Sequence, residues 1–126
     1  MTVRAVRGAV QLERDDRDHL VDSTKSLLKE MLDANGLQQQ DLVSVIFTAT
    51  PDLHSEFPAV AARESGITDT PLLCAQEIDV AGALPRVVRV LLHAETDRRK
   101  RDLRHVYLGG AAALRSDLAG TAEEAR

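Results

Sequence analysis

Apolar and polar residues alternate from Val3 to Val10, follow a helical period after Asp16, and return to strand-like runs from Asp41 onward. The first segment, VRAVRGAV, reads as a strand with Val3, Ala5, Arg7 and Ala9 on one face and Arg4, Val6, Gly8 and Val10 on the other. Between Asp16 and Asn35 the residues Leu20, Thr24, Leu27, Leu28, Met31 and Leu32 form one helical stripe, with Lys25, Lys29, Glu30 and Asp33 largely off it. Asp15 or Asp16 suits the N-cap, and the Asn35-Gly36 pair is a good stop. Residues 41–50, DLVSVIFTAT, are β-branched and apolar on both faces, as a buried strand would be. Pro51 and Pro58 bracket a loop, and a short helix is expected from Pro58 to about Ser65. PLLCAQEI, from Pro71, reads as a short strand and DVAGAL as a turn. Residues 86–96 also fit a helical period through Leu84, Val87, Val88 and Leu91, but Val87, Val88 and Val90 favour the pleated form. HVYLGGAAAL, 105–114, reads as a last strand, weakened by Gly109 and Gly110.

Five strands with one long and one short helix predict a single mixed α/β (α+β) domain over residues 1–116. The Ala- and Glu-rich end, 117–126, offers little to bury and is expected to be a flexible tail. Two helices shield only one side of a five-stranded sheet, yet 42–47 and 87–92 are apolar on both sides. The second side therefore needs cover, and self-association into a cyclic homo-oligomer with clefts near subunit boundaries would supply it.

Composition narrows the function. The chain has 126 residues and a formal charge of −4, which argues against a nucleic-acid protein; an anionic ligand must be held by local arginines and not by the overall field. Two Phe, one Tyr and no Trp leave little for base stacking. The single Cys, Cys74, excludes an internal disulfide and gives no zinc-ligand set. The first residues carry no apolar core of a signal or membrane anchor, so a cytoplasmic protein without membrane contact is expected.

Most catalytic signatures are missing: there is no Gly-rich phosphate loop, nucleophile elbow, paired-His metal helix or Cys pair. His19, His54, His93 and His105 have no ligand spacing. The basic run DRRKRDLRH, 97–105, is interrupted by Asp97 and Asp102 and reads as a solvated loop. What remains is charge inside apolar strands. Arg7, Glu77 and Arg89 sit there, with Arg63 on the short helix and Arg115 at the end of the last strand. Glu77 and Arg89 could be a buried ion pair, and Cys74 a small core residue. Collectively the arginines exceed the carboxylate, and surplus guanidinium, whose fork matches carboxylates, asks for an anionic ligand. Cys74 and Glu77, three apart, face opposite sides of a straight strand, so both reach one ligand only where the strand ends or bends.

The segments VRGAV and ERD near the start, TATPDLHSEFPA, Arg63-Glu64, CAQEIDVAGALPRVVRVL and RHVYLGGAAALRSDL together resemble the small trimeric, monofunctional chorismate mutases, distinct from the all-helical ones. The resemblance covers most of the chain in the right order. It implies a homotrimer whose sheets pack into a barrel-like core, an active site between neighbours, and the intramolecular Claisen rearrangement of chorismate to prephenate without cofactor or metal. Arg89 then matches the residue beside the ether oxygen, Glu77 and Cys74 the pair at the ring hydroxyl and ring face, and Arg7 and Tyr107 the clamp on the side-chain carboxylate. Arg63 and Arg115 match residues bordering the entrance, with Phe57, Ala59, Leu72, Leu73 and Leu114 as apolar lining. Val60 departs from a family Lys near the entrance, and the loop at 65–70 is one residue shorter than the family pattern. Two other readings of the same residues are a trimer that binds a carboxylate metabolite without transforming it and an enamine-hydrolysing trimer.

Overall fold

A computed structural model of the chain describes residues 1–114. Arg115 and the 117–126 tail lie outside the described residues. The elements run β1 (Thr2–Gln11), α1 (Arg17–Ala34), β2 (Leu42–Ala49), α2 (Ala59–Glu64), β3 (Leu72–Gln76), β4 (Val87–Thr96) and β5 (Val106–Leu108), with short 3₁₀ turns between some of them.

The strands form one five-stranded sheet in the order β3-β2-β4-β1-β5. β4 runs antiparallel to both β1 and β2, whereas β3 and β5 pair in parallel at the two edges, which gives the mixed sheet expected from the pattern. Residues 87–96 are a strand, as their valines favour.

α1 begins where Asp16 accepts a hydrogen bond from the His19 main-chain N–H, and it ends at Asn35 and Gly36, whose φ is 63°. Its stripe of Leu20, Thr24, Leu27, Leu28 and Met31 is buried. It lies on the sheet face that carries Val6, Val10, Val45, Phe47, Val88, Val90 and Leu92, and α2 packs beside it through Ala59, Ala61 and Ala62 to complete the main core. The helix approaches β1 closely at Gly8, where an added Cβ would stand 2.5 Å from the Met31 sulfur.

The opposite sheet face is open. No helix of the described residues covers it, and Val3 and Leu73 are 50% and 61% exposed. Among the described residues a small second cluster protects one end, where Ala9, Val87 and Ala111 are buried among Leu84, Tyr107 and Leu114.

One expectation fails: the last strand does not run from 105 to 114. It stops at Leu108, because Gly109 turns the backbone to φ 60° against the Gln11 carbonyl. Residues 109–111 form a 3₁₀ turn and 112–114 are helical, which brings Ala111 and Leu114 over the end of the open face.

Candidate active site

The register lines up one row of side chains across all five strands on the open face: Ala75, Thr48, Arg89, Ala9 and Tyr107. The adjacent row on that face holds Leu73, Ile46, Leu91 and Arg7. Arg7 is thus a diagonal neighbour of Arg89 across the β1/β4 pair, at the spacing that long side chains bridge.

Glu77 follows immediately after β3. Its main-chain N–H donates to the Ala49 carbonyl at 2.9 Å, which extends the parallel pairing by one step and fixes where the side chain leaves the backbone. The carboxylate then turns back over the row. Arg89 Nε donates to Glu77 Oε2 at 2.9 Å, and the Thr48 hydroxyl donates to the same oxygen at 2.7 Å. The Glu77 side chain is 18% exposed and that of Arg89 43%, so the pair is shielded without being sealed. A half-exposed pair of this kind contributes only about 0–1 kcal/mol to stability. Among the described residues, Glu77 Oε1 and the two terminal nitrogens of Arg89 have no hydrogen-bond partner. A carboxylate oxygen and two cationic N–H₂ groups are therefore left unpaired within one partly exposed ion pair.

Tyr107 lies half-buried in register with Ala9, and Leu114 packs in the same small cluster. Arg7 is exposed, and its main-chain N–H donates to His105 Nδ1 at 3.0 Å. Burial of His105, reinforced by the Arg7 charge, holds its imidazole pKa below the usual histidine value.

The remaining sequence candidates lie elsewhere in the chain. Cys74 pairs in register with Phe47, in the row under the helices, and packs half-buried against the main core. Within one chain it is on the opposite sheet face from the Glu77–Arg89 pair, as a three-residue offset along a strand dictates. Cys74 instead lines a hollow of about 410 Å³ with Thr50, Leu53, His54, Phe57, Pro58 and Gln76. Phe57 is 67% exposed at its rim, and Arg63 is exposed on α2. Ala59 is buried in the main core and Leu72 packs against it, whereas Leu73 points out from the open face. Val60 also packs against the core.

The loop carrying Phe57 is held by residues to which pattern alone gave no such role. Asp15 accepts from the main-chain N–H groups of His54 and Ser55 at 3.0 and 3.1 Å, and Arg17 Nε donates to Glu56 at 3.1 Å. Desolvation works to raise the Asp15 pKa, but hydrogen bonding at this clamp and the nearby His54 outweigh it and hold the carboxyl below its ordinary value. The Ser55 hydroxyl is buried and has no partner in hydrogen-bond geometry, so the lowering rests on the two main-chain donors and the nearby His54 side chain. On the other side of the loop the Thr50 hydroxyl donates to Asp52 at 2.6 Å and accepts from the Val87 N–H at 3.0 Å. Asp52 also accepts from the Arg86 N–H at 3.0 Å, and Arg86 holds a φ of 55°, rare for a residue with a side chain. These contacts tie the TPD segment to the start of β4.

Comparison with known proteins agrees with this architecture. The family model described as chorismate mutase type I matches residues 3–118. The chain is 50% identical over 117 residues to the chorismate mutase AroH of Thermus thermophilus, spanning 92% of this chain and 96% of that protein. It is 42% identical over 122 residues to the AroH of Bacillus subtilis, covering 96% of each. A solved chorismate mutase from Clostridium thermocellum superposes with a TM-score of 0.85 at 49% identity, covering 86% of this chain and 97% of that one. With its open-face carboxylate–guanidinium pair and a family match over nearly its whole length, the chain belongs to the type I chorismate mutase family.

Proposed function

We propose that this protein converts chorismate to prephenate in an active site shared between two copies of the chain. Chorismate is a dianion whose enolpyruvyl arm must fold over its ring before an ether C–O bond breaks and a C–C bond forms. Both bonds belong to one molecule. The reaction asks for a selected conformer and a matched charge distribution, with no proton to transfer.

Arg7 and Tyr107 hold the side-chain carboxylate, which places the enolpyruvyl arm over the ring. Arg89 then directs its terminal nitrogens at the ether oxygen, where negative charge gathers as the C–O bond lengthens. Glu77 Oε1 receives the ring hydroxyl and stands beside the positive character that grows on the ring. These interactions strengthen as the bond breaks, so they lower the barrier and not merely the energy of the bound substrate. The observation that supports this reading most is the Glu77–Arg89 pair, joined through Nε and Oε2 alone.

The second copy brings the other half. Cys74, Phe57 and Arg63 lie on the opposite side of the sheet from Glu77, so one ligand meets both groups only when the helix-side rim of a neighbour approaches the open face. A cyclic trimer places every open face against a neighbour and covers Val3, Leu73 and the exposed Ile78 and Val80. Arg115, outside the described residues, is the residue that the family resemblance assigns to the entrance of this site. A reducing cytoplasmic setting keeps Cys74, a free thiol, available to the ring. No helix among the described residues is long and apolar enough to cross a membrane.

Purified protein mixed with chorismate should remove its ultraviolet absorbance as prephenate forms, and should sediment as three chains. Chorismate that stays unchanged would refute the activity, and a fully active monomer would refute the shared site.

A further inference from the structure

Glu77 is held by one oxygen only. Oε2 takes the Thr48 hydroxyl at 2.7 Å and Arg89 Nε at 2.9 Å, which fills both of its lone-pair positions. Without the hydroxyl, the stable arrangement of a carboxylate beside a guanidinium is the two-pronged one, in which both oxygens face two nitrogens of the fork. That arrangement would draw Oε1 onto a terminal nitrogen of Arg89 and take that oxygen and that nitrogen out of use. Thr48 is placed to prevent it: the register sets it directly opposite Arg89 on one side and Ala75 on the other. Ala75 leaves room for the Glu77 side chain to curl back over the row, and a β-branched Thr in a strand holds its hydroxyl in few orientations.

We propose that Thr48 is a positioning residue for the rearrangement, keeping Glu77 bound to Arg89 through a single oxygen so that Oε1 and the Arg89 terminal nitrogens stay free for substrate. The proposal rests on the chorismate mutase reading of this site. Thr48 itself does not touch the substrate; it acts through Glu77. A purely structural hydroxyl would affect folding and leave the chemistry of the pair alone, so the two roles part in kinetics.

The test measures kcat and KM for chorismate in Thr48→Val, Thr48→Ala and Thr48→Ser, each with its melting temperature, and repeats Thr48→Val in a Glu77→Gln background. Valine keeps the strand-forming shape and removes the donor, and alanine serves should valine fail to fold. Loss of one hydrogen bond to a charged group predicts a fall in kcat of roughly ten- to a hundred-fold in Thr48→Val, with KM changed by less than about threefold. Thr48→Ser should restore kcat to within about threefold of wild type. In the Glu77→Gln background the further loss on adding Thr48→Val should shrink to about twofold or less, because the carboxylate it steers is gone. An active wild type with Thr48→Val within about twofold of it, or an equal loss in both backgrounds, would overturn the role of Thr48 alone. A wild type that leaves chorismate unchanged would overturn the activity and this role together.

Discussion

At the scale of single residues, the proposed site would work by leaving selected atoms unbonded. Arg89 spends Nε on Glu77 and keeps its terminal nitrogens, and Glu77 spends Oε2 and keeps Oε1. His105 shows the same economy in a supporting position. Its Nδ1 accepts the Arg7 N–H, so the neutral ring carries its proton on Nε2, and protonating Nδ1 removes that acceptor. Burial and the Arg7 charge lower the folded-state pKa of His105. Stability linked to this group is therefore intact above the unfolded histidine value, about 6.5, and is lost as the pH falls through that value towards the lower folded one. Melting temperature should drop more steeply between about pH 7 and about pH 5.5 in wild type than in His105→Gln. Parallel slopes would show that His105 does not titrate in this way.

At the scale of elements, the loop at 50–58 is fastened from both sides, by Asp15 from the end of β1 and by Asp52 to the start of β4. Asp15→Ala removes two exposed hydrogen bonds that water can replace only in part, and should cost about 0.5–1.5 kcal/mol in urea unfolding. It should also raise KM for chorismate, because Phe57 sits on that loop; stability and KM both unchanged would show that the clamp does nothing. These fastenings were not legible in the sequence. Asp15 and Asp16 looked equally fit to cap α1, and only the tertiary structure assigns the cap to Asp16 and the clamp to Asp15, whose partners are 39 and 40 positions away. Thr48 was hidden for a different reason: in a run of β-branched residues a threonine reads as a strand former, and its hydroxyl gains meaning only opposite Arg89. The long helix and the first four strands were legible because their periods are set by burial on one face or two. The last strand was not. Ala111 and Leu114 are as apolar as strand residues, and only the turn at Gly109 sends them over the open face as part of a second cluster.

At the scale of the whole molecule, two helices on one side of a five-stranded sheet leave a surface that carries both the candidate catalytic charges and exposed apolar residues. In the proposed assembly cover and catalysis are one problem, since a neighbour that buried Leu73 would also exclude water from Arg89 and Glu77. Excluding water strengthens every charge interaction in the crevice. Enzymes at the low end of rate enhancement, about 10⁶-fold, lower their barrier by roughly 8 kcal/mol, and one preorganised donor at a developing negative oxygen supplies about 3–4 of these. Arg89 is that donor in this account. The decisive measurement is the kcat of Arg89→Ala and Arg89→Lys for chorismate, each variant first shown to keep the wild-type assembly. A loss of at least about a hundred-fold is expected in Arg89→Ala and a poor enzyme in Arg89→Lys, because a lysine cannot grip Glu77 and present two nitrogens at once. An Arg89→Ala enzyme that turns over chorismate within a few-fold of wild type would contradict this role of Arg89.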